Sequence, residues 1–497
     1  MSTIPSSRTG TPQTSKMQLG RVLGPIFALA AYFLLPAGLP ETARLTAAAA
    51  TLMATFWITE AIPLSATALL PIVLFPVLGI VDSSQAAAPF AKPVIFLFLG
   101  GFMMAMAVER CGLHRRIALA ILRLTGGTPN RLLAGFMAAT AFLSMWISNT
   151  ATTVMMVPIA SSLIGMVPGN DLNRKSRRRF ELCLLLGIAY SASIGGLGTL
   201  VGTPPNALLV GFLHEKGFEI GFGQWMLIAV PLVIVFLVVL WFVLCKIYLD
   251  ARIQSISIDQ SVIDEQYGQL GPVTRSEWTV LSVFLVAATL WIFRQPLTHI
   301  DWLVQACPWI GRLNDASISV GAAIALFLLP VNNHGDRALD WQSANRLPWG
   351  VLILLGGGMS LATAMDSSGL NAVIAEQLQI LQSLPPVLLM IAVTGLVIFL
   401  TEVTSNTATT AALLPVLFGL GANVAGGPLV LLVPATLAAS CAFMLPVATA
   451  PNAVVFGTGR VPMIEMIRSG LWLNLIGIVL IPIVMIFLGC TVLDISL

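Results

Sequence analysis

Charge is scarce in this chain: Asp, Glu, Lys and Arg supply 9% of its 497 residues, against 57% hydrophobic ones. A soluble protein carries roughly 25% charged residues, so the composition excludes a soluble globular domain and indicates a polytopic membrane protein. The net charge of +3 gives no basis for binding nucleic acid. Cysteine and histidine are few and scattered. Cys111, Cys183, Cys245, Cys307, Cys441 and Cys490 form no CxxC pair, which reads as small buried hydrophobes rather than a disulfide or metal set. His114, His214, His299 and His334 are equally dispersed, so no transition-metal site is indicated. Gly195–Gly202 lacks both a Walker lysine and a Rossmann context. No HExxH, paired Asp or Ser/His constellation falls at membrane depth, which argues against an intramembrane enzyme. Met1–Lys16, rich in Ser, Thr and Pro, lacks the apolar core of a signal peptide. A disordered tail is expected over residues 1–18.

What the chain does have is a polar run that occurs twice. Ser148-Asn149-Thr150-Ala151-Thr152-Thr153 returns unchanged as Ser405-Asn406-Thr407-Ala408-Thr409-Thr410, each copy set in long apolar sequence. A shift of 257 residues also carries Gly101 onto Gly358, Gly112 onto Gly369, Pro129 onto Pro386 and Pro158 onto Pro415. A shift of 246 carries Thr203, Pro205, Asn206 and Gly211 onto Thr449, Pro451, Asn452 and Gly457. The chain therefore divides into a first transmembrane helix (19–42), one repeat (43–250), a hydrophilic connector (251–277) and a second repeat (278–494). The early spans are expected at Val22–Leu39, Leu45–Ile62 and Leu64–Val81, with an amphipathic interfacial piece at Arg110–Arg123.

Arg123, Arg131 and the basic loop Arg174–Arg179 flank the first polar run, whereas Leu347–Gly459 around the second contains no Lys or Arg. The positive-inside bias then places the two flanks on opposite sides of the membrane and makes the repeats inverted. The expected fold is all-α, with about eleven transmembrane helices, a cytoplasmic amino terminus and an outward carboxyl terminus. Each polar run is expected at the tip of a re-entrant hairpin. The arm Leu132–Ile147 has 16 residues, roughly 24 Å of helix, short of a hydrocarbon core.

Hydroxyls and amides concentrated at mid-membrane need a reason, because unpaired polar groups there cost several kcal/mol. Helix ends at a hairpin tip present N–H groups with positive partial charge, suited to a carboxylate, and carbonyls suited to a hard cation such as Na⁺. Gly195–Asn206 and Pro446–Asn452 read as broken helices, whose Pro and Gly free backbone groups beside a cavity. The plain alternative is Ser and Thr back-bonding to their own helix or joining two helices. A matched pair of runs, each followed by a Pro-Asn break, favours a transporter's binding site. The glycine runs at Gly100 and Gly356 read as close-packing surfaces. Glu402 draws attention by depth, but its repeat counterpart is Met145, and it stays outside the candidate set.

These paired motifs, Ser-Asn-Thr with Gly202-Thr203-Pro204-Pro205-Asn206 or Ala448-Thr449-Ala450-Pro451-Asn452, resemble the divalent-anion:sodium symporter family from about Ala43 to Leu493. The resemblance implies a homodimer in the cell membrane, as of a bacterial inner membrane, with an elevator-type transport domain. It implies Na⁺-coupled uptake of di- or tricarboxylates of the succinate, malate and fumarate class, or of sulfate in some members. Carried onto this chain, it implies one Na⁺ site at Ser144, Ser148, Asn149 and Gly202 and another at Thr401, Ser405, Asn406 and Ala448. The substrate would meet Asn149, Thr150, Thr203 and Pro204 on one side and Asn406, Thr407 and Thr449 on the other. Two departures stand out: Thr401 replaces the serine of its partner Ser144, and Ala450 stands where the first break has Pro204. The second break is therefore expected to be the less rigid. A sodium-independent exchanger remains an alternative. A cation/proton antiporter would need a buried acid relay in both halves, which the runs do not supply.

Overall fold

The computed structural model describes residues 15–36, 38–166, 174–249, 261–298, 300–332, 335–377 and 384–496. Most of the expected tail and residues 251–260 of the expected connector lie outside them. The described residues are helices and turns, with one isolated bridge between Pro330 and Arg337. Among the described residues, six helical stretches are long and apolar enough to cross a membrane: Met17–Leu34, Ser83–Arg110, Phe222–Tyr248, Arg275–Arg294, Trp349–Ser367 and Met463–Val492. Shorter apolar helices fill the space between them, among them Pro386–Thr401, Asn406–Gly421 and Leu429–Ala439.

Several boundaries differ from the sequence reading: the first helix, Ser15–Leu34, begins inside the expected tail and ends before Leu39, and the second is Glu41–Thr59. The third expected span is two short helices, Leu64–Thr67 and Leu70–Val77. Its chain then turns at Gly79, whose φ of +67° is open to glycine at little cost. The basic residues expected as a loop at 174–179 instead begin the helix Arg174–Gly196. That helix is central to the molecule, with Leu184, Leu185, Leu186, Ile188, Ala189 and Tyr190 all fully buried. Leu429–Ala439, its counterpart in the second half, is buried along its whole length. Beyond the basic first turns of Arg174–Gly196, the stretch 182–196 is buried at every position, as a helix segment enclosed by other helices must be.

The glycine runs pack closely. A Cβ on Gly100 would stand 2.5 Å from the Ser319 carbonyl oxygen, and one on Gly357 would stand 2.3 Å from that of Ala68. The amphipathic piece forms the helix Leu113–Leu124 after Gly112, whose φ of +77° recurs at Gly369 before Leu370–Gln377. Its buried Arg116 donates to both oxygens of Glu277, at 2.6 and 3.1 Å, and to the carbonyl of Gly271 at 3.0 Å. Arg123 pairs with Asp264 at 2.6 Å, and Tyr267 lies beneath both guanidinium groups. These contacts clamp the stretch 264–277 to the helix Leu113–Leu124.

Candidate functional site

Each polar run sits where one helix stops and another starts. Pro129–Ser144 is followed by Asn149–Met166, and Pro386–Thr401 by Asn406–Gly421. The start is local chemistry: Ser148 Oγ accepts the Ala151 N–H at 3.1 Å, and Ser405 stands at the equivalent cap position with extended backbone. Behind each tip lies a buried hydroxyl. Ser144 donates to Asn149 Oδ1 at 2.6 Å and approaches the Ala192 carbonyl at 2.7 Å. Thr401 makes the same pair of contacts, to Asn406 Oδ1 at 2.6 Å and the Ala439 carbonyl at 2.9 Å. One turn on, Thr153 donates to the Asn149 carbonyl and Thr410 to that of Asn406, both at 2.8 Å.

The broken helices match in the same way. Pro204–Glu215 begins after Thr203 and Ala450–Gly457 after Thr449, both with extended backbone, φ −145° and −138°. The Asn206 amide donates to the carbonyls of Gly196, Leu197 and Thr199, the last at 2.8 Å. Asn452 donates to those of Ala442 and Leu445 at 3.1 Å. These asparagines tie each unwound stretch to the helix that follows it. Ala450 and Pro204 each open their helix directly after an extended cap residue. Alanine there also keeps an N–H that proline lacks.

All four helix starts face one cavity of about 1090 Å³, lined by 146–151, 201–205, 403–407 and 447–451. Every candidate residue except Ser144 and Thr401 lines it, and those two are fully buried behind Asn149 and Asn406. The halves also touch directly, Thr203 Oγ1 lying 3.4 Å from Ser440 Oγ. Each helix start contributes roughly half a positive charge, and no Lys, Arg or His lines the cavity at the tips. Four such ends suit an anion, while hydroxyl, amide and carbonyl oxygens beside them suit a hard monovalent cation. The glycines set the fit on the first side. A Cβ on Gly202 would stand 2.5 Å from the Gly196 carbonyl oxygen and 3.0 Å from that of Met145; one on Gly196 would stand 2.7 Å from Asn149 Oδ1.

Some lining residues carried no signal in the sequence. Glu60, Glu109 and Arg346 stand on the cavity wall, each drawn there by a helix end far from the polar runs in sequence. Trp146 also lines it, stacked on Phe222 at 6.1 Å, which in turn stacks on Trp291 at 4.5 Å. Its neighbour in the tip sequence was the only hint of that position.

A family model described as the sodium:sulfate symporter transmembrane region matches residues 16–493. The chain belongs to this symporter family. The assignment agrees with the divalent-anion:sodium symporter resemblance of the motifs, and it makes the chain a multi-pass membrane protein of a transporter family, not an enzyme. A relative from Staphylococcus saprophyticus, named Sodium-dependent dicarboxylate transporter SdcS, is 42% identical over 485 residues, 96% of this chain and 92% of its own. Its namesake from Staphylococcus aureus strain USA300 is 41% identical over 500 residues, 99% and 95% of the two chains. Among solved structures, the Alcanivorax borkumensis YdaH transporter has a TM-score of 0.57 at 15% identity, covering 96% of this chain and 98% of its own. Neisseria gonorrhoeae MtrF has a TM-score of 0.56 at 13% identity, covering 92% and 96%. At those identities the likeness is one of fold.

Proposed function

We propose that this symporter-family member carries di- and tricarboxylates of the succinate, malate and fumarate class across a cell membrane, coupled to Na⁺. The observation that carries the reading is the convergence of four helix starts and two matched hydroxyl–asparagine pairs on one cavity. The names of the staphylococcal relatives supply the substrate class and the cation. One Na⁺ is held by Ser144, Ser148, Asn149 and the Gly202 backbone, the other by Thr401, Ser405, Asn406 and the Ala448 backbone. One carboxylate rests against Asn149, Thr150, Thr203 and Pro204, the other against Asn406, Thr407 and Thr449. Arg346 stands elsewhere on the cavity wall and no basic side chain lies at the tips, so bound cations and helix dipoles there balance the dianion.

In this reading the repeats are inverted, about eleven spans leave the amino terminus inside and the carboxyl terminus outside, and two protomers pair. The transport domain moves as an elevator. Glu109, at the end of Ser83–Arg110, and Arg346, before Trp349–Ser367, then lie on the cytoplasmic side, and the cavity opens inward. Sulfate is the second reading, favoured by the description of the family model.

Titration of purified protein with succinate, in Na⁺ and in choline, tests the coupling. Affinity is expected to fall steeply in choline and to recover with Na⁺, with reciprocal linkage. Equal affinity in both salts would favour a sodium-independent exchanger, and tight sulfate binding with no succinate binding would favour the second reading.

A further inference from the structure

Between Leu429–Ala439 and Ala450–Gly457 the chain runs unwound through 441–448. Unwound chain inside a membrane has backbone N–H groups with no helical carbonyl to bind, and they must find other acceptors. Here they find a side chain. Glu402 is 4% exposed. Its Oε1 accepts the N–H of Phe443 at 2.8 Å, the N–H of Met444 at 2.9 Å and the side-chain amide of Asn474 at 2.7 Å. Its Oε2 accepts the N–H of Leu445 at 3.0 Å. The Leu445 carbonyl in turn accepts the Ala448 N–H at 3.2 Å and the Asn452 amide at 3.1 Å. A short run of hydrogen bonds thus leads from Glu402 to Ala448, where the second cation site is placed.

The first repeat achieves the same bend differently. Met145 occupies the matching position, and Gly198 matches Met444. The Met145 side chain packs so closely on Gly198 that a Cβ there would stand 2.8 Å from Met145 Cε. Thr199 Oγ1 donates to the Met145 carbonyl, and the Trp225 indole donates to the Leu197 carbonyl at 2.9 Å. An apolar contact on a glycine-rich bend in one half is therefore replaced by a carboxylate in the other, whose bend carries larger residues.

We propose that Glu402 is a positioning residue for the second cation site: its carboxylate holds the unwound stretch so that Ala448 faces the tip at Asn406. It does not touch the ion. The cation role of this site rests on the proposed function above; the hold on the stretch does not. A glutamine keeps the shape but has one acceptor oxygen, and turns donors toward N–H groups that need acceptors.

The test uses full-length protein carrying Glu402→Gln, with Asn474→Ala as a milder second variant should the first fail to fold. Amide hydrogen exchange over 440–449 is expected to quicken by about tenfold in Glu402→Gln, the order lost with one charge-assisted bond. Exchange over 195–203 should stay as in the wild type. In proteoliposomes the Na⁺ concentration for half-maximal succinate uptake is expected to rise by about tenfold. The succinate KM at saturating Na⁺ should stay within about threefold, a split that general loosening of the core would not give. Asn474→Ala should shift both readouts in the same direction by less. Unchanged exchange over 440–449 in the folded variants overturns the proposal, and so does an unchanged Na⁺ requirement. Should the wild type itself transport without Na⁺, the coupling reading falls, and the exchange measurement alone decides whether Glu402 holds the stretch.

Discussion

Asn149 and Asn406 each have an oxygen turned toward a buried hydroxyl, and that pairing decides which way each amide faces. Ser144 and Thr401, both at 2.6 Å, fix the two oxygens; each hydroxyl also lies beside a backbone carbonyl from the neighbouring buried helix. Replacing either asparagine by alanine is expected to reduce succinate uptake to background while thermal melting shows folded protein. Unchanged uptake in either variant would remove that residue from the site. Gly202→Ala brings a Cβ within 2.5 Å of a backbone oxygen, which cannot move as a flexible side chain can. A rise of about tenfold in the Na⁺ needed for half-maximal uptake is expected, the equivalent of about 1.4 kcal/mol. Ala448 already carries a Cβ at the matching place, so Ala448→Gly should move that value far less. The asparagines were legible because an unchanged six-residue run recurs; Ser144 and Thr401, outside that run, were expected from the family resemblance. Three of the four donors around Glu402 were not legible, because Phe443, Met444 and Leu445 contribute backbone N–H groups, which leave no mark in the residue types.

The broken helices show what an element owes to one side chain. Asn206 donates to three carbonyls at its break and Asn452 to two; the Trp225 indole shares the Leu197 carbonyl, and the Gly202 and Ala448 N–H groups share those of Thr199 and Leu445. Leaving such groups buried and unpaired costs about 1–3 kcal/mol. Asn206→Ala and Asn452→Ala should therefore each lower the melting temperature, and an unchanged melting temperature in either would contradict this account of the breaks. The Pro-Asn pairs announced these elements in the sequence. Helix ends were harder to place: Leu64–Val81 read as one span, yet the structure has two short helices, Leu64–Thr67 and Leu70–Val77, where apolar continuity masked the interruption at Ala68 and Leu69. The helix Leu113–Leu124 likewise had its amphipathic face in the sequence, while the clamp that seats it joins Arg116 to Glu277 across 161 residues. Opening such a buried pair from one side costs about 3–5 kcal/mol. Glu277→Ala is thus expected to destabilise the protein clearly in thermal melts, whereas Asp264→Ala, at an exposed pair, should cost under about 1 kcal/mol.

At the scale of the whole molecule, two halves of unlike sequence repeat the same tip, the same broken helix and the same asparagine ties, and they meet at one cavity. The offsets of 257 and 246 residues foretold which residues would be equivalent. Equivalence alone did not foretell the acidic and basic groups on the cavity wall, since Glu60, Glu109 and Arg346 come from helix ends outside the repeated motifs. The central claim is that uncharged side chains, helix ends and a co-bound cation together hold a dianion between the halves. Uptake of radiolabelled succinate into proteoliposomes, under an inward Na⁺ gradient and then with choline in its place, tests it most directly. The account predicts accumulation with Na⁺, near-background uptake with choline, and no stimulation by Na⁺ in Asn149→Ala or Asn406→Ala. Equal uptake in the two salts, or Na⁺-driven uptake that survives both substitutions, would contradict it.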